Sequence, residues 1–172
     1  MIPAALVGTG LALAYSMTRG PKNLVTIKSR SDGAHYRVQN LPDKQEACEM
    51  MAKIRQNLDS IVNHVRSDAN LYAEEPLRRM VERFDPSKLE ENDIDASSTS
   101  YSENKGEKIV VCLRDKTTQP YPLVEVNTVM FVLIHEMAHL MTASIGHTPE
   151  FWTNFRRLLQ ECVKLGVYNP VN

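Results

Sequence analysis

His135, Glu136 and His139 form an H-E-x-x-H pattern inside the apolar run from Val129 to Met141, and His147 follows just after Gly146. On a helix, positions i and i+4 share one face, so His135 and His139 can grip a single Zn²⁺. Glu136 adjoins the first of them, where a carboxylate can serve as general base toward a metal-activated water. Val129, Met130, Phe131, Val132, Leu133, Ile134, Met137, Ala138, Leu140 and Met141 cover nearly the whole circumference of the helix, expected from about Thr128 to Ser144. A helix apolar all round is a core helix, and polar groups within it need a partner inside the protein. Zn²⁺ would satisfy all of them at once.

Around this helix the spacing sets the elements that must position it. Asn127 is a candidate cap, and Gly146 is read as the helix stop. Thr148, Pro149 and Glu150 read as cap, first position and first-turn acid of a final helix, whose apolar face is Phe151, Trp152, Phe155, Leu158, Leu159, Cys162 and Val163. His147 therefore sits at a reversal between two helices and can return to the metal. That gives three histidines and an open position, the arrangement of catalytic zinc. Glu150 and Glu161 are rival third ligands, because a carboxylate from a following helix is the other common solution. Glu150 can alternatively orient a ligand histidine. Tyr101, Tyr121, Tyr168 and Arg114 are candidates to stabilise an oxyanion.

Upstream, Leu24–Lys28 and Ala34–Gln39 flank Ser31-Asp32-Gly33 and read as a hairpin. A long helix follows Asn40-Leu41-Pro42-Asp43, with Ala47, Met50, Met51, Ile54, Leu58, Ile61, Val62 and Val65 on one stripe. His64 lies at the edge of that stripe, and His35 lies in the hairpin. Both read as ordinary surface or half-buried histidines. Glu74 to Phe84 reads as a shorter helix with Pro76 in its first turn. Residues 85–97 are rich in Asp and Glu and read as a solvated acidic loop. Thr99–Ser102 and Lys108–Leu113 read as a hairpin turning at Asn104-Lys105-Gly106, and its edge could receive an extended peptide by strand addition.

The chain of 172 residues has 42% hydrophobic and 24% charged residues, enough for one domain with a core. Its net charge of −1 gives no electrostatic case for nucleic acid as a partner. Cys48, Cys112 and Cys162 form no C-x-x-C pair, which excludes a zinc ribbon and a redox dithiol and suits a reducing compartment. Ile2 to Thr18 carries no charge, and Arg19, Lys22, Lys28 and Arg30 follow. That reads as a transmembrane anchor over residues 1–18, with the domain of residues 19–172 facing the cytosol. A secretory signal cleaved after Ala12-Leu13-Ala14 is the alternative.

His135-Glu136-Met137-Ala138-His139 followed by Gly146-His147-Thr148-Pro149-Glu150-Phe151 resembles the SprT-like and WLM minimal zinc metalloproteases. The resemblance spans about residues 127–165. It implies an α+β, zincin-like domain, here a small antiparallel sheet packed on a buried H-E-x-x-H helix behind the N-terminal apolar helix. It also implies Zn²⁺ held by His135, His139 and His147, Glu136 as catalytic base, and protein or peptide substrates. Family members often act on DNA–protein crosslinks, but the charge balance and the acidic segment count against that here. A zinc-stabilised, non-catalytic module tethering a partner to a membrane through residues 2–18 would share the ligands without needing Glu136.

Overall fold

The computed structural model describes residues 23–97, 100–103, 106 and 108–171. The expected hairpin is β1 (Leu24–Lys28) and β2 (His35–Gln39), paired antiparallel with Leu24 opposite Gln39. Gly33 takes φ +74° at the turn. The turn is also gripped from the next helix. Glu49 accepts from the Arg30 amide at 2.7 Å, from the Ser31 hydroxyl at 2.7 Å and from the Ser29 hydroxyl at 3.0 Å. Those donors, the Arg30 amide first, hold the Glu49 carboxyl down at about 2.

That helix, α1 (Lys44–Ser67), buries Ala47, Met50, Met51, Ile54, Leu58, Ile61, Val62 and Val65, the stripe its spacing predicts. It lies against β1, β2 and the next strand on one side and against the helices of the site on the other. Asp43 precedes it without capping it, because the Asp43 carboxylate accepts from Arg114 instead. A single-turn α2 (Ala69–Ala73) and α3 (Glu75–Arg83) follow, the latter with Pro76 in its first turn. Asp68 starts α2 by accepting from the Asn70 and Leu71 amides.

The acidic stretch of residues 85–97 departs from the solvated loop its composition predicts. It contains β3 (Leu89–Glu91), all three residues buried, in the middle of the sheet. Composition misleads here because each glutamate of β3 has a cation waiting. Glu90 meets Arg37 at 3.0 Å and Lys108 at 2.5 Å. Glu91, 1% exposed, meets Arg114 at 2.7 Å and accepts the Gln39 amide at 2.7 Å. The sheet closes with β4 (Tyr101–Glu103) and β5 (Lys108–Val111), an antiparallel hairpin in which Gly106 takes φ +103°. A Cβ at Gly106 would come within 2.4 Å of the Arg83 carbonyl oxygen, so this turn sits directly on the end of α3.

The strand order is β1-β2-β3-β5-β4, and both pairings of β3 are parallel. The fold is thus α+β with a mixed sheet rather than an antiparallel one. Joining β2 to β3 and β3 to β5 in parallel requires crossovers, which the helices and the β4 hairpin supply. The sheet packs mainly on α1. The histidine-bearing helix α4 (Val126–Met141) instead lies among α1, α3, β4 and the last helix, α5 (Pro149–Lys164).

The membrane localisation expected from the sequence is overturned. Among the described residues no helix is long and apolar enough to cross a membrane. Residues 1–18, on which that expectation rested, lie outside the described residues.

Candidate metal centre

Helix α4 buries Val129, Met130, Leu133, Ile134, Met137, Ala138, Leu140 and Met141. It is not covered all round. Thr128, Phe131, Val132, His135, Glu136 and His139 stay partly or fully open, and their spacing traces one helical stripe. The polar trio therefore lies on the face the fold leaves accessible.

The helix also stops earlier than Gly146. It ends at Met141, and three contacts fix that end. The Thr142 hydroxyl donates to the Ala138 carbonyl at 2.8 Å, the Asn154 amide group donates to the Thr142 hydroxyl at 3.0 Å, and the Arg79 guanidinium donates to the Met141 carbonyl at 2.8 Å. Asn127, expected as the cap, lies inside the first turn and exchanges two hydrogen bonds of 2.8 Å with the backbone of Asn169. Gly146 takes φ +85° within the connecting loop, not at the helix end.

The loop carries His147 back over the helix. His147 Nε2 lies 3.0 Å from His135 Nε2, and His139 Nε2 lies 3.2 Å from it. One ligand atom from each of the three falls within 4.8 Å of the others. In tetrahedral zinc coordination with Zn–N near 2.1 Å, donor nitrogens sit about 3.4 Å apart. The distances of His139 and His147 from His135 are near that spacing, and imidazole nitrogen is a donor zinc favours, so the residues fit the metal.

Every position of the Gly146–Phe151 segment contributes locally. Thr148 accepts from the Phe151 amide at 3.3 Å and starts α5, and Pro149 takes the first helical turn. Glu150 bonds back across the loop, accepting from the amides of Ala143 at 3.0 Å and Ser144 at 3.2 Å and from the Ser144 hydroxyl at 2.7 Å. These donors, the Ala143 amide first, lower its pKa. Glu150 is thus a clasp on the loop bearing His147 rather than a member of the nitrogen cluster. Phe151 is fully buried, and its ring stacks on His139 with centroids 4.3 Å apart. Trp152 stacks on His147 at 5.7 Å, and Phe155 meets His135 edge-on at 5.4 Å.

Electrostatics favour neutral imidazoles. Burial lowers the pKa of His135, as do the nearby His139 and His147. Burial lowers that of His139 too, with His147 adding to it. Glu136 is half-buried, and desolvation pushes its carboxyl up to about 7. Among the described residues it has neither a hydrogen-bond nor an ion-pair partner.

The other candidates fall outside the cluster. Glu161 is 3% exposed and holds α5 to its neighbours, accepting from His64 at 3.0 Å, from Arg157 and from Lys164 at 2.9 Å. His64 thereby gains a partner that its surroundings in sequence do not reveal, whereas His35 is exposed. Arg114 is locked by Glu91 and Asp43 and by the Tyr121 carbonyl. Tyr101 is half-buried on β4, and Gln119 donates to the Tyr121 hydroxyl at 3.2 Å. Tyr168 packs on Phe131, 5.8 Å between centroids and one turn before His135. The residues that sequence reasoning misses are Arg79 and Arg83 of α3, which line a cleft beside His139. No local pattern announces them, because only the packing of α3 on α4 brings them there.

Residues 78–169, more than half of the chain, match the WLM domain. The chain belongs to the WLM domain family. A protein of Acanthamoeba polyphaga mimivirus is 29% identical over 175 residues, spanning 100% of this chain and 88% of the relative. A protein of Invertebrate iridescent virus 3 is 42% identical over 72 residues, spanning 41% of this chain and 43% of that protein. The crystal structure of a Wss1 mutant from Saccharomyces cerevisiae superposes with a TM-score of 0.54 at 19% identity, covering 75% of this chain and 88% of that one. The five-stranded α+β architecture is therefore a fold of the WLM type, shared with that structure.

Proposed function

We propose that this WLM domain, residues 19–172, is a zinc-dependent metalloendopeptidase acting on protein or peptide substrates. The observation that carries the reading is the convergence of His135, His139 and His147 through their Nε2 atoms on the open stripe of α4, beside a Glu136 that has no partner among the described residues. These histidines would hold the metal. When bound, it would supply Lewis-acid polarisation of the scissile carbonyl and lower the pKa of water toward neutrality.

The chain's own residues do the rest. The Glu136 carboxylate takes a proton from the attacking water and returns it to the leaving amine nitrogen. In the metal-free chain, burial raises this carboxyl's affinity for a proton. Phe151 and Phe155 pack against the imidazoles and fix their orientation. Glu150 holds the third ligand's loop in register with the first two. The outer strand β4, packed beside α4, offers an edge along which an extended peptide can lie.

Metal analysis and a protein-cleavage assay with and without chelator test this. Wild type should bind one zinc per chain and lose cleavage to chelator. Glu136→Gln should keep its zinc while cleavage falls by about 10²–10⁴-fold. Undiminished cleavage by Glu136→Gln would overturn the mechanism.

A further inference from the structure

The proposed site has two unlike flanks. Beside His135 and His147 lie the exposed rings of Phe131 and Trp152, 41% and 49% accessible. Beside His139 opens a cleft of about 570 Å³. Arg79, Arg83, His139, Thr142 and Ser144 help to line it, and among the described residues none that lines it is acidic.

The two arginines differ in what they have left to give. Arg79 donates to the Met141 carbonyl at 2.8 Å and to Glu75 at 2.5 Å, so it is partly neutralised and fixed in place. Arg83 is exposed and, among the described residues, its guanidinium has neither a hydrogen bond nor an ion pair. A basic residue in the last turn of a helix is favoured by the helix dipole, which accounts for the charge of Arg83. It does not account for the cleft. Gly106 helps to set the position of that last turn, since the turn it makes rests on the Arg83 carbonyl where any side chain would collide.

We infer that this cleft is a carboxylate subsite of the polypeptide substrate, with Arg83 as its reader and Arg79 at its base. The inference rests on the peptidase reading and deepens it. A guanidinium presents a planar fork of donors that matches a carboxylate, and, whereas Glu75 already engages Arg79, no acid among the described residues engages Arg83. Because His139 lines the same cleft, the bound acid lies close to the bond that is cut. Apolar residues would lie on the opposite flank, against Phe131 and Trp152. The carboxylate can come from an Asp or Glu side chain or from a chain terminus.

The test uses the zinc-loaded full chain and a peptide scaffold in which each position in turn is Glu, Ala or Lys, with free or amidated C-terminus. Cleavage is followed by mass spectrometry. Wild type should cut the peptide with Glu at one position near the bond at least about tenfold faster than its Lys counterpart, the scale expected of a charged hydrogen-bonded pair. Arg83→Glu should reverse that ratio, and Arg78→Glu, outside the cleft, should preserve it. A preference confined to free C-termini assigns the carboxylate to the main chain; one that survives amidation assigns it to a side chain. The same ratio in wild type and Arg83→Glu overturns the subsite.

Binding of the fluorescent Glu and Lys peptides to Glu136→Gln and to Glu136→Gln/Arg83→Glu, followed by anisotropy, separates the two readings. Cleavage without dependence on Arg83 removes the subsite and leaves the peptidase. Arg83-dependent binding of the Glu peptide with no cleavage by wild type removes the peptidase and leaves the subsite.

Discussion

The histidine cluster and the middle of the sheet both hold polar groups in packed surroundings, and they treat them in opposite ways. In the sheet, Glu90 and Glu91 are answered by Arg37, Lys108, Arg114 and a backbone amide. At the centre, His135, His139 and His147 face one another, and Glu136 faces no cation among the described residues. A buried charge with its partner supplied is structural. Polar groups gathered without partners are costly to the fold alone and are accounted for by what they can bind. The contrast separates acids that hold the chain together from the acid proposed to do chemistry.

The sharpest way to break the contrast is to unpair the sheet. Arg114→Met leaves Glu91 buried without its cation and should lower stability by about 3–5 kcal/mol in urea unfolding. Glu91→Leu with Arg114→Met removes both charges and should recover most of that loss. Equal instability of the single and double variants would show that the pair is not the cause.

A smaller effect should follow from acid. Burial raises the pKa of Glu161, but donors from Arg157, His64 and Lys164 outweigh it and hold the carboxyl at about 2. Its folded pKa is therefore depressed. The stability it contributes is present above the unfolded value of about 4.5 and is lost as pH falls from there toward about 2. Glu161→Gln should flatten that part of the stability–pH profile relative to wild type, while the zinc content at neutral pH stays unchanged. A coincident acid profile would remove Glu161 from the account, and lost zinc would restore it as a ligand.

The smallest effect concerns the boundary between the two regions. Glu150 is a paired acid, yet what it secures is the loop carrying His147. Glu150→Ala should weaken zinc affinity by about tenfold with little change in melting temperature of the metal-free protein. Competition with a chromophoric chelator measures the first, and calorimetry the second. Undiminished affinity would mean that the loop holds without its clasp.

These regions also differ in how far they can be read from the chain. H-E-x-x-H and Gly146–Phe151 are legible because their contacts are local, so spacing alone brings His135, His139 and His147 together. The stripe of α1 is legible for the same reason. The strand β3 is not, because its pair of glutamates looks solvated until Arg37, Lys108 and Arg114 arrive from distant positions. The end of α4 is misplaced because Gly146 offers a plausible stop, while Arg79 and Asn154 impose an earlier one through tertiary contacts. The arginine cleft needs α3 packed against α4 before it exists.

One consequence of the paired glutamates reaches beyond stability. A strand as short as Leu89–Glu91 has little apolar pattern to tell it where to stop sliding between its neighbours. Successive side chains point to opposite faces, so Glu90 and Glu91 address different cations on different sides of the sheet. A slip by one residue would present each acid to the wrong side. The charges then act as a key that admits a single alignment, and the double variant Glu91→Leu/Arg114→Met removes the half of it that Glu91 supplies. It should stay folded yet show more than one set of β3 amide signals, whereas a single set would mean that the alignment is fixed elsewhere.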